Sequence, residues 1–442
     1  MNCDKLCIMK KRYLAFIAIG IIITAYFVYP DFNSQLHTTT ATATALSAGA
    51  NYELSESAEL SLAAVQYQRN QAHTFSELTS GVTSEALFHA TNPDAEVAAP
   101  RGISLVMVGD MLMHTKVLES GETEAGSYNF DHLFKYVGDE IATADLALVN
   151  QETILGGSDI GLSSYPNFNS PFEVGDAEVA AGFDVILQAT NHALDKGATG
   201  VTNDIDFWKT NYPDIAYLGI NDSQDRKDNY IYTYTQDGIT LSILNYTFGT
   251  NGISVPSSMP YAIDYLNEEK VVDDIKRAHE ISDFVIVCPH WGTEYNLGVD
   301  SYQKHWTQIF LENDVDLVIG THPHVIEPIE IVTDENDGDQ MLVYYSLGNF
   351  VNGTESTSGT LADRLVGGIA QVRIGYDSDG NIGITEYDVE PIICHMGYGT
   401  DYTVYYLEDY TEELASQNRI LVQDPSFNLP YCKELVKKVW GK

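Results

Sequence analysis

The sequence predicts an α/β fold, and three observations carry that expectation. Beyond Arg101, short apolar runs rich in β-branched residues alternate with amphipathic helical stretches, as in layered sheets and helices. Two of the runs flank Asp237-Gly238, a dipeptide suited to a tight hairpin because both positions tolerate a positive φ. Five of the runs lead directly into Asp, Glu, Asn or His, as strands do when their carboxyl ends share a ligand-binding edge.

The strand candidates that end in polar residues are 103–108, 145–149, 184–187, 284–288 and 316–319. The hairpin arms are 230–235 and 239–245, and helical candidates lie at 130–142, 200–211, 268–281 and 302–313. Runs at 341–345, 369–374 and 382–389 extend the β content, with Asp379-Gly380 as a further turn. Beyond Thr411, helices are expected around 412–416 and at 432–439. This places one domain over 101–395, with 396–442 as a C-terminal helical extension packed on it.

Ahead of the domain, Lys5, Lys10, Lys11 and Arg12 precede an apolar run over 13–29. Its 17 residues lie at the short end of a bilayer span. The basic flank favours a cytoplasmic N-terminus over 1–12, a single-pass signal-anchor in the cell membrane and an extracellular bulk. A cleavable signal peptide is the alternative, but 26–30 offers no small-residue cleavage site. No Cys follows the run in lipobox fashion. Residues 30–100 are rich in Thr, Ala, Ser and Glu and read as a low-complexity extracellular stalk, with a short helix candidate at 52–68.

Hydrophobic residues make up 44% of the 442-residue chain, a globular composition with length for a sizeable core. The 63 acidic and 23 basic residues give a formal net charge of -40. Such a chain repels polyanions at long range, so nucleic acid is excluded as a partner class. An anionic or polymeric envelope substrate would need a local positive centre, which bound metal can supply. Five cysteines are too few for a disulfide scaffold. Cys3 and Cys7 precede the apolar run, Cys288 follows it, and Cys394 and Cys432 could pair if the fold brings them together.

The chemistry-bearing residues follow the strands. Asp110 closes the first, with His114 four residues on; Asn150-Gln151-Glu152 closes the second, and Asn191-His192 with Asp195 follows the third. The fourth leads to His290-Trp291-Gly292 and Glu294, and the fifth to Gly320-Thr321-His322-Pro323-His324. Taken singly, most have an ordinary structural explanation: a helix N-terminal acid, a turn Asn, a hydrogen-bonded His. His322 and His324 resist it, because alternate residues of an extended segment point the same way. Together, imidazole and carboxylate oxygen without a placed thiolate suit Zn, Mn or Fe rather than a structural zinc site.

The ordered series Gly109-Asp110, Asn150-Gln-Glu152, Asn191-His192-Ala-Leu-Asp195, His290-Trp-Gly-Thr-Glu294, Gly320-Thr-His322-Pro-His324-Val and Tyr345-Ser-Leu-Gly-Asn-Phe350 resembles the CapA/PgsA family of poly-γ-glutamate capsule proteins. The resemblance implies a calcineurin-like metallophosphoesterase fold, a four-layer sandwich of two β-sheets flanked by helices. It implies metal ligation by Asp110, His114, Glu152, Asn191, His290, His322 and His324, with two divalent ions of the Mn, Zn or Fe type. His192 matches the position that protonates a leaving group, with Asp195 beside it as the acid that orients it. Trp291, Glu294 and Asn349 fall where substrate would be bound. General phosphoesterases carry Asp-x-His and Gly-Asp-x-x-Asp, where this chain has Asp110-Met-Leu-Met-His114 and Asn150-Gln151-Glu152.

Three functions are compatible with these residues. One is a membrane-anchored metal-dependent hydrolase acting on a phosphoester or related bond in capsule metabolism. Another is a non-catalytic accessory protein for polymer export or anchoring, with capsule synthase or export subunits as partners. The third is amide hydrolysis of poly-γ-glutamate, since metal-activated water attacks carbonyls as well as phosphorus.

Overall fold

The structure, a computed structural model, describes residues 101–442 except 125–126, 337 and 355–359. The expected anchor, stalk and helix at 52–68 lie outside the described residues, as do Cys3 and Cys7. No helix among the described residues is long and apolar enough to cross a membrane.

The strands are β1 (Gly102–Met111), β2 (Glu122–Glu124), β3 (Ser127–Tyr128), β4 (Leu146–Gln151), β5 (Val185–Leu187), β6 (Ala216–Leu218), β7 (Tyr232–Gln236), β8 (Ile239–Thr247), β9 (Phe284–His290), β10 (Leu317–Ile319), β11 (Ile329–Thr333), β12 (Gln340–Tyr344), β13 (Asn349–Val351), β14 (Val366–Tyr376), β15 (Ile382–His395) and β16 (Thr403–Tyr406). The α-helices are α1 (Thr115–Gly121), α2 (Gly138–Thr143), α3 (Glu173–Ala181), α4 (Gly197–Asn211), α5 (Gln224–Asn229), α6 (Glu268–His279), α7 (Ser301–Leu311), α8 (Glu412–Gln417) and α9 (Leu429–Trp440).

Two large sheets organise the domain. One has eight strands in the order β16-β15-β14-β1-β4-β5-β6, with β13 also paired to β1; the other has six, in the order β11-β12-β10-β9-β8-β7. Strand alternation builds the layers. Ile103, Leu105 and Met107 of β1 pack with Leu241, Ile243, Ile286 and Leu317 between the sheets. Their neighbours Val106 and Val108 face Val201, Ile205 and Trp208 of α4 on the other side of the large sheet. The outer face of the small sheet, through Val285, Val287 and Val318, is covered by Val271 and Ile275 of α6 and by Trp306 and Phe310 of α7. The result is helices, sheet, sheet, helices, buried on both faces of each sheet as near-continuous apolar strands require.

Local chemistry sets the element ends. Asp237 at φ 55° and Gly238 at φ 83° close the expected hairpin, with Gln236 paired to Ile239. Asn267 caps α6 by accepting from Lys270 N, with Glu268 and Glu269 in the first turn and Lys276 and Arg277 in the last. Asp300 and Gln303 form a capping box on α7.

The helix expected over 130–142 is instead a 3-10 turn at Asp131–Phe134 followed by α2. Between them Tyr136 stands out to stack on Tyr405, ring centroids 4.3 Å apart, and Gly138 weakens helical continuity. α3 and α5 escape periodicity for opposite reasons: α3 buries Val174, Gly175, Ala177 and Glu178 and α5 buries nothing. The tail is more than helical, because β16 adds an edge strand to the large sheet. Cys394 and Cys432 are buried free thiols.

Candidate functional site

β1, β4, β5 and β6 run parallel in one sheet, and β8, β9, β10 and β12 in the other. Their carboxyl ends are drawn together by Asn245 of β8. Its Oδ1 accepts from Gln188 N at 3.1 Å and Ala189 N at 2.8 Å, just past β5, while its Nδ2 donates to Cys288 O at 2.8 Å. This buried amide ties the small sheet to the loop that carries Asn191 and His192.

Asp110, Glu152, Asn191, His290, His322 and His324 meet there, each at most 5% exposed. Asp110 Oδ1 accepts from Asn150 Nδ2 at 2.8 Å, and Asp110 Oδ2 lies 3.2 Å from His324 Nδ1. Glu152 Oε1 lies 3.6 Å from His324 Nε2 and 3.9 Å from both His290 Nε2 and His192 Nε2. His290 is held at both nitrogens, by Thr321 Oγ1 at 3.0 Å on Nδ1 and Asn191 Oδ1 at 3.0 Å on Nε2. The ligand atoms of Glu152, His322 and His324 all lie within 4.8 Å of one another.

The His322-Pro323-His324 segment is not extended as the alternation argument requires. His322 has φ 100° and His324 φ 58°, left-handed conformations that cost energy in a residue with a Cβ and persist only where surroundings impose them. Here Asp110 Oδ2 accepts from His322 N at 3.4 Å and Pro323 O from Tyr295 N at 2.7 Å. The two imidazoles still converge, their ring centroids 5.7 Å apart.

His192 Nδ1 donates to Asp195 Oδ2 at 2.7 Å, and that same oxygen accepts from Phe168 N at 2.6 Å. This fixes the ring with Nε2 toward Glu152. Phe168 packs edge-on against both His192 and His114, centroids 4.7 Å and 5.1 Å away. His114 thus lines the adjoining cavity beside the cluster.

The remaining expectations divide. Glu294 is exposed and lines the cavity. Asn349 does not reach it: its Oδ1 meets His324 Nδ1 at 3.0 Å and its Nδ2 donates to His324 O and Arg364 O, both at 2.9 Å, so it positions His324. Trp291 is corrected outright. Its indole is fully buried against Tyr345 and Phe310, with Nε1 donating to Tyr345 O at 2.9 Å, because the side chain after His290 on β9 points to the opposite face. Sequence reading missed Asn150, Thr321, Asn251, Tyr295 and Arg364. The first two sat inside the motifs above; Asn251 and Tyr295 lie in loops and Arg364 in a 3-10 turn at Ala362–Leu365, where no strand end marks them.

Burial and mutual charge shift the titration of Glu152, His324, His290 and His322. Burial raises the Glu152 carboxyl well above the ordinary range, with His324 opposing and Asp110 adding to it. Burial would depress His324, but the Glu152 and Asp110 carboxylates outweigh it and push it up to about 10. Burial, then the neighbouring imidazoles, holds His290 and His322 well below the usual histidine range, and takes His114 down to about 3. His290 and His322 thus stand as neutral imidazoles, the ligating form, whereas a bound cation has to displace protons from His324 and Glu152. Both Glu152 oxygens, Asn150 Oδ1 and His322 Nδ1 are buried without a hydrogen-bond partner in the structure. With the ligand atoms of Glu152, His322 and His324 in mutual reach, such unpartnered buried acceptors fit a divalent ion.

The model of the bacterial capsule synthesis protein family PGA_cap matches residues 104–354, more than half of the chain and all of the cluster. The chain belongs to this family. Capsule biosynthesis protein CapA of Bacillus anthracis is 26% identical over 258 residues, covering 56% of this chain and 59% of that protein. PGA biosynthesis protein CapA of Bacillus subtilis strain 168 is 26% identical over 280 residues, covering 59% and 66%. The chain therefore spans less than two thirds of the length of either relative. Among solved structures, a 5′-nucleotidase precursor from Thermus thermophilus is similar at TM-score 0.40 and 14% identity, covering 76% of this chain and 58% of that one. The NAD nucleotidase of Haemophilus influenzae is similar at TM-score 0.41 and 14% identity, covering 76% and 66%.

Proposed function

We propose that this PGA_cap family member is a metal-dependent hydrolase of capsule metabolism, acting on a phosphoester or related bond at the cell surface. The observation that carries the reading is Glu152, fully buried with neither oxygen hydrogen-bonded, in reach of His322 and His324. A divalent ion held by Asp110, Glu152, Asn191, His290, His322 and His324 supplies Lewis-acid chemistry to a phosphoryl or acyl group. The chain's own part is positioning and proton transfer. Asp195 keeps the His192 proton on Nδ1, so Nε2 faces the cluster and can carry a second proton to a leaving group there. The basic flank before 13–29 supports tethering of the domain outside the membrane.

The purified protein is expected to hold divalent metal, close to two ions, and to melt at lower temperature after chelation, since a ligand of the folded state stabilises it. His290→Ala or His322→Ala should remove metal and phosphodiesterase activity together. His192→Ala should keep the metal and slow turnover by about a hundredfold or more. Elemental analysis beside diester assays measures both; no metal after reconstitution with Mn, Zn and Fe would sink the site. The family description, capsule synthesis rather than hydrolysis, favours a second reading as an export or anchoring accessory, and metal retained without turnover of any ester or γ-glutamyl amide would select it.

A further inference from the structure

Beside the cluster opens a cavity of about 820 Å³, bordered by His192 and His324 on one side. That volume is in the range that takes a whole small-molecule ligand, so a substrate there reaches well beyond a single phosphoryl or acyl group. The border is mostly neutral: Asn167, Asn251, Asn352 and Thr354 offer hydrogen bonds, and Phe168 and Ile253 offer apolar surface. Of the described residues that line it, Arg364 alone is a lysine or arginine. In a chain with a formal net charge of -40, one guanidinium at the cavity wall is a localised exception to the field.

Arg364 is held firmly relative to the cluster. Its Cζ lies 3.4 Å from the centre of the Tyr295 ring, and that ring lies 5.9 Å from the His324 ring. Its Nη1 donates to Thr354 Oγ1 at 3.2 Å, and its carbonyl accepts from Asn349 Nδ2, the amide that also holds His324. The side chain is 4% exposed, so its charge sits in a shielded wall. Burial depresses its ordinary value, opposed by Tyr295, Glu294 and Asp363. A guanidinium retains its charge under such pressure and presents a planar fork that suits carboxylate and phosphate. Glu294, exposed on the same border, is one of the acidic groups acting on Arg364, and an incoming anion competes with it.

We propose that Arg364 is a specificity residue, stacked on Tyr295, that takes a second anionic group of the substrate, carboxylate or phosphate, while the scissile group sits at the Glu152, His322 and His324 cluster. The substrate class is therefore an ester or amide with an additional anion on the same molecule. This rests on reading the cluster as a hydrolytic metal site, but Arg364 belongs to the chain and its anion preference can be measured with or without metal.

The test is calorimetric titration of the full chain, chelator-treated and Mn-loaded, with inorganic phosphate and with glutarate. Wild type should bind at least one probe saturably, and the tighter probe assigns the anion. Arg364→Gln should weaken that binding at least tenfold, Arg364→Lys less, and Tyr295→Ala severalfold. Glu294→Gln should tighten it, and this variant decides the matter if Arg364→Gln does not fold. Unchanged affinity in Arg364→Gln or in Glu294→Gln, or no binding of either probe to wild type, would overturn the assignment and leave Arg364 a structural cation. Metal content measured on the same samples separates the two readings: a wild type without metal refutes the metal centre, while the chelator-treated titration still reports on Arg364.

Discussion

Glu327 shows what burial alone does to a single carboxyl. It is fully buried; Gln303 Nε2 donates to its Oε2 at 2.5 Å, and its Oε1 has no partner in the structure. Burial raises it from 4.5 to about 8, with the Gln303 hydrogen bond opposing. A carboxyl that binds its proton more tightly when folded contributes stability that is complete below the unfolded value and is lost as pH rises through the folded one. Stability should therefore fall between about pH 4.5 and pH 8 on account of this group. Glu327→Gln should flatten that part of the profile, gaining stability relative to wild type at pH 9 but not at pH 4. Thermal melts of both proteins across this range measure the difference, and parallel profiles would contradict it. The Glu152 carboxyl is raised by the same physics, but there the unpartnered oxygens face imidazoles, which makes a ligand site instead of a buried acid.

At the scale of elements, the cluster depends on how closely strands approach. β13 lies against β1 with Asp110 beside Asn349, and a Cβ at Gly109 would come within 1.9 Å of Gly348 O. The missing side chain lets β13 carry Asn349 to His324. Gly109→Ala should cost about 1–3 kcal/mol, the usual range for overpacking, and should lower metal content with stability. Asp300 gives a milder case, since it caps α7 by accepting from Gln303 N at 2.8 Å while its own N–H donates to Gln303 Oε1 at 2.9 Å. Asp300→Ala should cost about 1 kcal/mol and leave metal content unchanged. A fall in metal with Asp300→Ala equal to that with Gly109→Ala would show that both act through general unfolding.

For the molecule as a whole, the C-terminal helix is part of the core. Cys432, Leu435 and Val436 of α9 are buried in the large helix-facing cluster, and Trp440 Nε1 donates to Glu327 O at 2.8 Å. Gly368 of β14 leaves the space that Trp440 fills, since a Cβ there would come within 2.5 Å of the indole. Deleting residues 428–442 should remove about 1.5–3 kcal/mol of burial for each of Leu435 and Val436. It should lower the melting temperature by several degrees, read by calorimetry. A single unchanged transition would mean that the helix merely lies on the surface. The described residues belong to one compact unit, so one cooperative transition is the expectation for the intact domain.

The sequence by itself determined the strand pattern and the ligand chemistry. Near-continuous apolar runs and turn dipeptides are local properties, legible in β1, β4, β8 and β9 and in Asp237-Gly238. Ligand types at strand ends marked Asp110, Glu152, Asn191, His290, His322 and His324, because parallel strands deliver their carboxyl ends to one edge. Only tertiary structure decided which neighbours were merely nearby. Trp291 follows His290 in the chain, yet alternation sends it into the core and away from the site. Arg364, from a 3-10 turn, and Tyr295 and Asn251, from loops, reach the cavity along a course that depends on contacts far along the chain, such as Asn349 with Arg364 O and Tyr295 N with Pro323 O. The left-handed turn at His322 and His324 belongs to the same class. Asp110, more than two hundred residues away, accepts from His322 N within it, and a local pattern carries no record of so distant a hydrogen bond.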